Sequence, residues 1–332
     1  MKYANLPFIA ECPICLHTKN TLLYRVASNE AARHFLVAHN QNNDQFVKIE
    51  HKITRLWKKK SAAIVVCKNC NFTFADPFIA GDHEFYNLLP HSTAESPENW
   101  KWEFDQTYKK IEALASGKNN LTLLEIGAST GDFIKRIGGI IPLKNILCLE
   151  YSEIGVASIK KAGIEAYSWH FQELPEKLGP EKKFDVICLF QVLEHLDNVD
   201  QTFKAFNAIA KPGSHLFIGV PNGRKTRFNE LNNALLDMPP NHIGRYNRKV
   251  FEFLGKKYGW ETDELLTEPF TPLDVVKTVM YYQSLKRAQF QPVKRTAWYR
   301  VKRYLEIKWL RLQAEFLHRN LGDTLWVHYI KH

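Results

Sequence analysis

The sequence predicts an α/β fold whose sheet is doubly wound and mostly parallel, and two observations in the middle of the chain carry this prediction. Short apolar runs lie between stretches of helical periodicity, and the runs themselves show no apolar–polar alternation. Strands of that kind are covered on both faces, as in a parallel sheet with helical crossovers. The first run, residues 123–126, ends in a turn of small residues at 127–131 that opens a helix. Such a turn presents backbone N–H groups and the positive end of the helix dipole to an anionic group.

The other elements of the predicted sheet domain follow in chain order. A helix at 100–115 precedes the first strand, Gly163 ends a helix at 154–162, and a further helix covers 247–259. The later strands are predicted at residues 143–151, 165–169, 184–189, 215–220, 260–266 and 324–330. The last of these alternates apolar and polar residues, which predicts a strand buried on one face.

Two acidic residues at the ends of the first two strands indicate a nucleoside-containing ligand. Glu125 comes directly before the glycine turn, and Glu150 ends the second strand. In doubly wound folds an acidic residue at the second place accepts hydrogen bonds from ribose hydroxyls. The spacing of Gly127 and Gly131 does not fit the G-x-G-x-x-G register of dinucleotide-binding folds. An acidic residue before the glycine turn points instead to S-adenosylmethionine.

The segment from Leu123 to Phe133 resembles the first motif of class I S-adenosylmethionine-dependent methyltransferases, written E/D-x-G-x-G-x-G, with Ser129 at the place of the middle glycine. The run FDVICLFQVLEHL, followed by AKPGSHLFIGVPN, is similar to the middle of the same family. It most resembles the branch that acts on sugars and other small metabolites. The resemblance covers roughly residues 120–260 and implies the class I, Rossmann-like fold.

The resemblance also implies a set of cofactor-binding residues. The backbone of the glycine turn would lie beside the methionine moiety, with Glu125 supporting the turn and the amino group. Glu150 would bind the ribose, and for Tyr151 and Phe190 core packing is the alternative to a place in the site. The predicted cofactor residues are Glu125, Gly127, Ala128, Gly131, Glu150, Tyr151 beside the adenine, Gln172 at the adenine edge, and Phe190 and Gln191 at the methionine end.

Methyl transfer to a hydroxyl, or to a carbon beside a carbonyl, needs a base near the acceptor, and histidine suits neutral pH. His195 follows the fourth strand and either faces the substrate or orients the next helix together with Glu194. His242 lies after the fifth strand in a segment similar to the P-x-H segment of sugar-type methyltransferases. It is either catalytic or substrate-binding, or a loop histidine bonded to backbone. Tyr86 either reaches the acceptor from the preceding connector or is a packed aromatic residue.

Four of the six cysteines form two C-x-x-C pairs, Cys12 with Cys15 and Cys67 with Cys70. Two such knuckles complete a closed tetrahedral site, which predicts a structural zinc ion. Free buried thiols or a redox pair are the alternatives. The long gap between the pairs predicts an insertion with helical stretches around residues 30–39 and 45–60.

Composition is that of a soluble protein, with 45% hydrophobic and 24% charged residues among 332. Residues 1–10 show no signal-peptide pattern and no apolar run is long enough to cross a bilayer, which favours a cytoplasmic enzyme. The net charge of +10 is concentrated between Lys286 and Arg319, where apolar residues recur at helical intervals. Either this helix packs on the sheet with a solvated basic face, or it docks phosphorylated substrates, nucleic acid or anionic lipid headgroups.

We therefore predict a zinc module with a helical insertion at 1–80, a connector and helix at 81–120, and a methyltransferase domain at 121–332 with a helical insertion at about 272–321. The predicted function is C- or O-methylation of a sugar or a related small metabolite. The four-cysteine module resembles that of sugar C-methyltransferases, from which the long insertion departs. One alternative is an RNA methyltransferase, since a ribosomal guanine methyltransferase family joins a zinc module to this fold. The other is a non-catalytic methyltransferase-fold binding protein, against which Glu125 and Glu150 argue.

Overall fold

The computed structural model describes residues 5–36, 43–89, 100–117, 120–179, 181–232, 234, 238–288, 296–317 and 320–332. The chain forms two compact units, and each is assembled from three stretches of sequence. The first unit comprises Met1–Thr93, Pro221–Asn247 and Thr267–Asp323, and the second comprises Ala94–Val220, Arg248–Leu266 and Thr324–His332.

The described residues contain twelve strands and twelve α-helices. The strands are β1 Leu6–Ile9, β2 Lys19–Ala27, β3 Ser61–Cys67, β4 Thr73–Asp76, β5 Leu123–Ile126, β6 Ile146–Leu149, β7 Glu165–Tyr167, β8 Phe184–Phe190, β9 Ala210–Pro221, β10 Gly244–Arg245, β11 Trp260–Thr267 and β12 Thr324–Lys331. The helices are α1 Ser28–Phe35, α2 Asn43–Trp57, α3 His83–Leu88, α4 Trp102–Gly117, α5 Asp132–Ile137, α6 Glu153–Lys161, α7 Leu174–Leu178, α8 Val199–Ile209, α9 Gly223–Leu231, α10 Arg248–Tyr258, α11 Pro272–Ala288 and α12 Ala297–Leu312.

The first unit contains an antiparallel sheet with the strand order β1-β2-β3-β4-β10. Helices α1 and α2 lie between β2 and β3 in the chain and pack their apolar sides around Trp57 and Phe85. The two helical stretches predicted between the cysteine pairs are thus confirmed, although residues 37–42 lie outside the described part. Helices α9, α11 and α12 form a second apolar cluster of this unit around Phe228 and Val279.

The second unit contains a seven-stranded sheet with the order β11-β12-β9-β8-β5-β6-β7. Five neighbouring strands of this sheet, in the order β9-β8-β5-β6-β7, are parallel, and β5 lies between β6 and β8. All described residues of β5, β6 and β8 are buried, because helices cover both faces of these strands. The chain reverses its direction of travel across the sheet between β5 and β8, and ligands of doubly wound folds bind at that place. The predicted fold class, a class I methyltransferase-like sheet, is confirmed.

Three details differ from the predictions. Residues Leu143–Asn145 form a turn of 3-10 helix, so β6 is shorter than predicted. Six of the eight residues of β12 are buried, because both of its faces are covered: Nε1 of Trp326 donates to Thr107 of α4, and the hydroxyl of Tyr329 donates to the carbonyl of Phe251 in α10. The apolar residues that recur at helical intervals along α12 are exposed, so the interpretation that this helix packs on the sheet through them is wrong.

The predicted domain limits at residues 80 and 120 stay a prediction. No helix in the described ranges combines the length and apolar character that crossing a bilayer needs.

Candidate functional site

The glycine turn after β5 has a backbone that only glycine adopts without strain. Gly127 has φ +73°, and its N–H donates to the carbonyl of Leu149 over 2.8 Å, which ties the end of β5 to β6. A Cβ at Gly127 would lie 2.4 Å from Cγ2 of Val192. Gly131 has φ +86° and precedes the first turn of α5. The dihedral angles therefore favour glycine at both predicted cofactor positions, and at Gly127 the lack of space does so as well.

Ser129 stands where the family motif has its middle glycine, and it too has a positive φ of 50°. Its N–H donates to Oε2 of Glu150 over 2.7 Å. This hydrogen bond holds a serine in a backbone conformation that costs about 1–3 kcal/mol outside glycine. The departure from the motif is thus compensated by a contact to the second predicted cofactor residue.

Glu150 forms hydrogen bonds to two loops, the ones that follow β5 and β6 at the carboxyl ends of these strands. One carboxylate oxygen accepts the N–H of Ser129, and the other accepts the N–H of Ser152 over 2.8 Å. Gly155 in α6 allows this approach, because a Cβ there would lie 2.6 Å from Cγ of Glu150. The carboxylate is half-buried and keeps lone pairs that neither N–H uses, which is what hydrogen bonds from ribose hydroxyls need.

Glu125, the last acidic residue of β5, is 3% exposed, and its Oε2 has no hydrogen-bond partner within the described ranges. Burial, and then the negative charge of Glu150, raise the pKa of this carboxyl to about 8, although the positive charge of Lys101 lowers it. A buried carboxylate without a partner is costly to ionise unless a cation lies beside it. S-adenosylmethionine carries an ammonium group and a sulfonium centre, so the residues at this place fit that cofactor.

The other predicted cofactor residues divide into surface and core positions. Tyr151 is 60% exposed, with its ring centroid 5.7 Å from that of His170. Gln172 is half-buried in a turn of 3-10 helix at Phe171–Glu173. Phe190 is 5% exposed and its ring lies 5.0 Å from those of Phe104 and Phe133, as its core-packing alternative requires. The roles of these residues toward a cofactor stay predictions.

Gln191, directly after β8, has a strained backbone and a buried partner. Its φ of +57° lies in the left-handed region, which few non-glycine residues occupy and which clusters at functional sites. Its N–H donates to the carbonyl of Gly219 over 2.8 Å, and its Nε2 donates to Oε1 of Glu103 over 3.1 Å. Glu103, in the first turn of α4, is 2% exposed and was missed by the sequence analysis, where it is one of several polar residues of an amphipathic helix.

Of the three predicted catalytic residues, one belongs to the second unit and two belong to the first. In the second unit, His195 ends the turn Leu193–His195, and its Nε2 lies 3.8 Å from Oε1 of the buried Glu194. In the first unit, the backbone N–H of His242 donates to the carbonyl of Met238 over 3.1 Å, and the side chain is half-buried. Tyr86, also in the first unit, packs beside Phe85 in the core around α2 and α3. Catalytic roles for all three stay predictions.

The four predicted zinc ligands lie together in the first unit. The Sγ atoms of Cys12, Cys15, Cys67 and Cys70 all lie within 4.8 Å of one another. Sγ of Cys12 is 3.6 Å from Sγ of Cys70, and Sγ of Cys15 is 3.5 Å from Sγ of Cys67. Four thiolates around one zinc ion at about 2.3 Å stand about 3.8 Å apart, so the spacing suits a tetrahedral Zn²⁺ site.

The two knuckles have the same backbone turn. The N–H of Leu16 donates to the carbonyl of Cys12 over 2.9 Å, and the N–H of Asn71 donates to that of Cys67 over 3.0 Å. Leu16 and Asn71 both have φ +61°. This repeated turn brings the two thiols of each pair to one side, which is the geometry that shared coordination of a metal needs.

A buried charged cluster in the first unit was not predicted from the sequence. The hydroxyl of Tyr24 donates to Oε1 of Glu230 over 2.5 Å, and Nη2 of Arg245 donates to the Tyr24 hydroxyl over 3.0 Å. Arg245 also pairs with Glu230 at 2.5 Å, and all three side chains are nearly inaccessible to solvent. Burial raises the pKa of Tyr24 well above its ordinary value, so the phenol stays protonated and acts as a donor. Tyr24 lies 206 residues before Glu230 and 221 before Arg245, which left no local pattern to find.

The strand order and the loops around Glu125 and Glu150 define a class I methyltransferase fold. The family model described as "Methyltransferase domain" matches residues 99–265, half of the chain. The chain therefore belongs to the methyltransferase-domain family. This match confirms, at the level of the family, the prediction of an S-adenosylmethionine-dependent methyltransferase.

Two curated proteins are similar to part of the chain. A malonyl-[acyl-carrier protein] O-methyltransferase 2 of Ilyobacter polytropus is 31% identical over 119 residues, 36% of this chain and 45% of that protein. A ubiquinone biosynthesis O-methyltransferase of Pelagibacter ubique is 29% identical over 124 residues, 34% of this chain and 47% of that protein. The chain thus spans about half the length of the curated relatives that it matches.

Solved structures are similar at low identity. A SAM-dependent methyltransferase from Archaeoglobus fulgidus aligns with a TM-score of 0.44 at 15% identity, over 69% of this chain and 94% of that one. The N-methyltransferase NodS of Bradyrhizobium japonicum in complex with S-adenosyl-L-homocysteine aligns with a TM-score of 0.42 at 12% identity, over 72% and 93%. With TM-scores this low, the fold assignment rests on the strand order and the family model.

Proposed function

We propose that the protein transfers a methyl group from S-adenosylmethionine to a sugar or a related small metabolite. The observation that carries the cofactor assignment is Glu125, a buried carboxylate whose Oε2 lacks a hydrogen-bond partner among the described residues. It lies at the end of β5, one residue before a turn that requires glycine. A cationic ligand at this place would offset the cost of ionising this carboxyl.

Bound S-adenosylmethionine supplies an activated methyl group on a sulfonium, so the chain's residues need only bind, orient and exclude water. Glu125 would bind the cationic amino-acid end, and the N–H groups of the 127–131 turn would hold the same end from the backbone. Glu150, already fixed by the N–H groups of Ser129 and Ser152, would receive the ribose hydroxyls. Gln191, fixed through Glu103, would line the methionine end.

Support for a small-molecule acceptor comes from the curated relatives, whose names state O-methylation of malonyl-[acyl-carrier protein] and O-methylation in ubiquinone biosynthesis. Support for a sugar comes from the resemblance of the 184–222 region to sugar-type methyltransferases. Transfer to a hydroxyl, or to a carbon beside a carbonyl, requires removal of a proton. We propose His242 or His195 as the base, because a neutral imidazole accepts a proton near pH 7.

We further propose that Cys12, Cys15, Cys67 and Cys70 hold one structural zinc ion. The four thiols and the matching knuckle turns support this proposal. Four thiolates close the coordination sphere, so such an ion would stabilise the first unit and take no part in methyl transfer.

The acceptor class is tested with purified protein, labelled S-adenosylmethionine and a cell extract separated into RNA, protein, lipid-linked glycan and small metabolites. We expect label in the small-metabolite or glycan fraction, and label confined to RNA would refute the sugar proposal in favour of an RNA methyltransferase.

A second measurement concerns the cofactor alone. Calorimetry with unlabelled S-adenosylmethionine should detect binding to the wild type. Absence of binding would support the non-catalytic interpretation of the fold. The variants His195→Gln and His242→Gln should both bind the cofactor as the wild type does. Whichever of the two histidines is the base, its replacement should abolish methyl transfer.

A further inference from the structure

Helix α12 has apolar residues on two opposite sides. On the inner side Ile307, Leu310 and Ala314 pack against the α11 residues Val275 and Val279 in the core of the first unit. This contact accounts for the part of α12 that folding buries. A second set of apolar residues, on the other side of the helix, has no such explanation.

This second set forms a continuous row on the exposed side of α12 and the turn that follows it. Its members recur at intervals of three or four residues, so they stack along one face of the helix, opposite the inner side. The outer row consists of Trp298, Val301, Leu305, Trp309, Leu312 and Phe316, which are 74%, 49%, 58%, 53%, 45% and 71% exposed. Monomeric proteins rarely expose a contiguous apolar surface of this kind, and one that exists marks an interaction site.

Basic side chains lie along both borders of the outer row. Lys308 lies at one border and Lys302 at the other, Arg311 and Arg300 lie further round the exposed side of the helix, and all four residues are exposed. Arg311 pairs with Glu315 at 2.8 Å. Across the described ranges, no carboxylate lies within 4.0 Å of the charged nitrogens of Arg300, Lys302 or Lys308. The chain as a whole has a net charge of +10, so its surface attracts an anionic partner.

We propose that the outer row of α12 binds the surface of an anionic lipid bilayer, with the helix lying in the plane of the membrane. The six apolar side chains would enter the boundary between headgroups and acyl chains, where Trp is favoured, and the basic borders would contact anionic headgroups. Each cation near such a surface adds to the attraction. The inner side stays packed on α11, so binding requires no unfolding of the first unit.

The charges and the shape of the row favour a bilayer over two other occupants. A second copy of the chain would bring two sets of basic borders together, which like-charge repulsion opposes. An RNA would satisfy the cations but offers no apolar layer for Val301, Leu305 and Leu312. Of these three occupants, a lipid surface is the one that satisfies both the apolar row and its basic borders.

The test is co-sedimentation of the full chain with vesicles of phosphatidylcholine, or of phosphatidylcholine with about one third phosphatidylglycerol. We expect binding to the anionic vesicles that weakens as salt is added. The double variant Leu305→Ala/Trp309→Ala should lower the partition coefficient by about tenfold or more. The control Ile9→Ala removes a side chain that is 86% exposed elsewhere and should leave binding within about twofold.

A second pair of variants tests the charges. Lys302→Glu/Lys308→Glu should reduce binding to anionic vesicles by about tenfold or more. The matched reversal Lys144→Glu/Lys249→Glu, at exposed positions of the second unit, should have a much smaller effect. Equal losses in the two variants would mean that net charge alone drives binding, and would overturn the proposal.

Brominated acyl chains give a measurement that leaves the apolar row intact. They should quench the fluorescence of the wild type, and the quenching should be largely lost in Trp298→Phe/Trp309→Phe. Absence of vesicle binding would overturn the proposal. Quenching that is equally strong in Trp298→Phe/Trp309→Phe and in the wild type would overturn it as well. A dimer in sedimentation velocity that Leu305→Ala dissociates, or retention on RNA in place of vesicles, would likewise assign the row to another partner.

Discussion

Replacement of Glu125 by Gln should make the protein more stable at alkaline pH, because it removes a carboxyl that folding disfavours in its ionised form. Gln has nearly the same shape, so packing at the end of β5 is preserved. In the folded chain the pKa of Glu125 is raised from 4.5 to about 8, chiefly by burial and then by the charge of Glu150. At about 1.36 kcal/mol for each pH unit, ionisation in place costs about 5 kcal/mol.

The sign of the pH dependence follows from which state holds the proton. Between pH 4.5 and about 8 the unfolded chain has lost this proton and the folded chain keeps it. The contribution of Glu125 to the free energy of unfolding is therefore fully present below pH 4.5 and is lost as pH rises toward 8. The Glu125→Gln variant does not have this loss.

The assay is urea unfolding of wild type and variant at several pH values from about 5 to about 8, without cofactor. The difference in free energy of unfolding between the two should grow with pH and approach about 5 kcal/mol at the upper end. Glu153→Gln, at an exposed position in the first turn of α6, is the matched control and should show no such trend. A difference that stays constant with pH would refute the assignment of Glu125 as a buried, protonated carboxyl.

The same group should couple cofactor binding to a proton. If S-adenosylmethionine places a cation beside Glu125, binding favours the ionised carboxylate and releases a proton at neutral pH. Calorimetry in two buffers of different ionisation enthalpy should detect that release in the wild type and not in Glu125→Gln. Binding of equal strength in both proteins, with no proton released by either, would contradict the proposed place of the cofactor.

Three further substitutions or treatments follow from the geometry. Gly127→Ala should lower stability by about 1–3 kcal/mol and abolish cofactor binding, because φ is +73° and the new Cβ meets Val192; wild-type melting and affinity would contradict this. Glu150→Ala should weaken the binding of S-adenosylmethionine by about tenfold or more in calorimetry, since the proposed ribose contacts and the Ser129 hydrogen bond are lost, whereas Glu153→Ala should not. Removal of metal with a chelator should lower the melting temperature, and metal analysis should find one zinc ion per chain in the wild type and much less in Cys70→Ser. A chain that is fully folded and free of zinc would refute the metal proposal.

The sequence predicted those features whose causes are local. The parallel strands β5, β6, β8 and β9 were found because each contains a short, mostly apolar run, and the glycine turn was found because small residues follow such a run and open a helix. The cysteine knuckles likewise depend on residues two apart and on a turn that repeats. Periodicity and spacing suffice wherever the chain makes a contact with its own near neighbours.

Contacts between distant parts of the chain were beyond such patterns. Glu103 and Gln191 are 88 residues apart, and Tyr24 and Glu230 are 206 apart, so their hydrogen bonds depend on how the chain folds back. The helical period of α12 was visible, but both of its sides carry apolar residues. The sequence therefore could not decide which side is buried, and the structure exposes the one that appeared better suited to a core.

The interleaved connectivity of the two units has a consequence for how the protein is made and handled. During synthesis the first ninety or so residues emerge long before β10, which completes their sheet, and before Arg245 and Glu230, the partners of Tyr24. Until these segments are synthesised, the edge of β4 is unpaired and Tyr24 lacks its two partners. Such exposed edges and incomplete contacts favour chaperone binding and misassembly. A fragment cut near residue 93 would retain both cysteine pairs yet lack those partners, so the native first unit is obtained only from the whole chain.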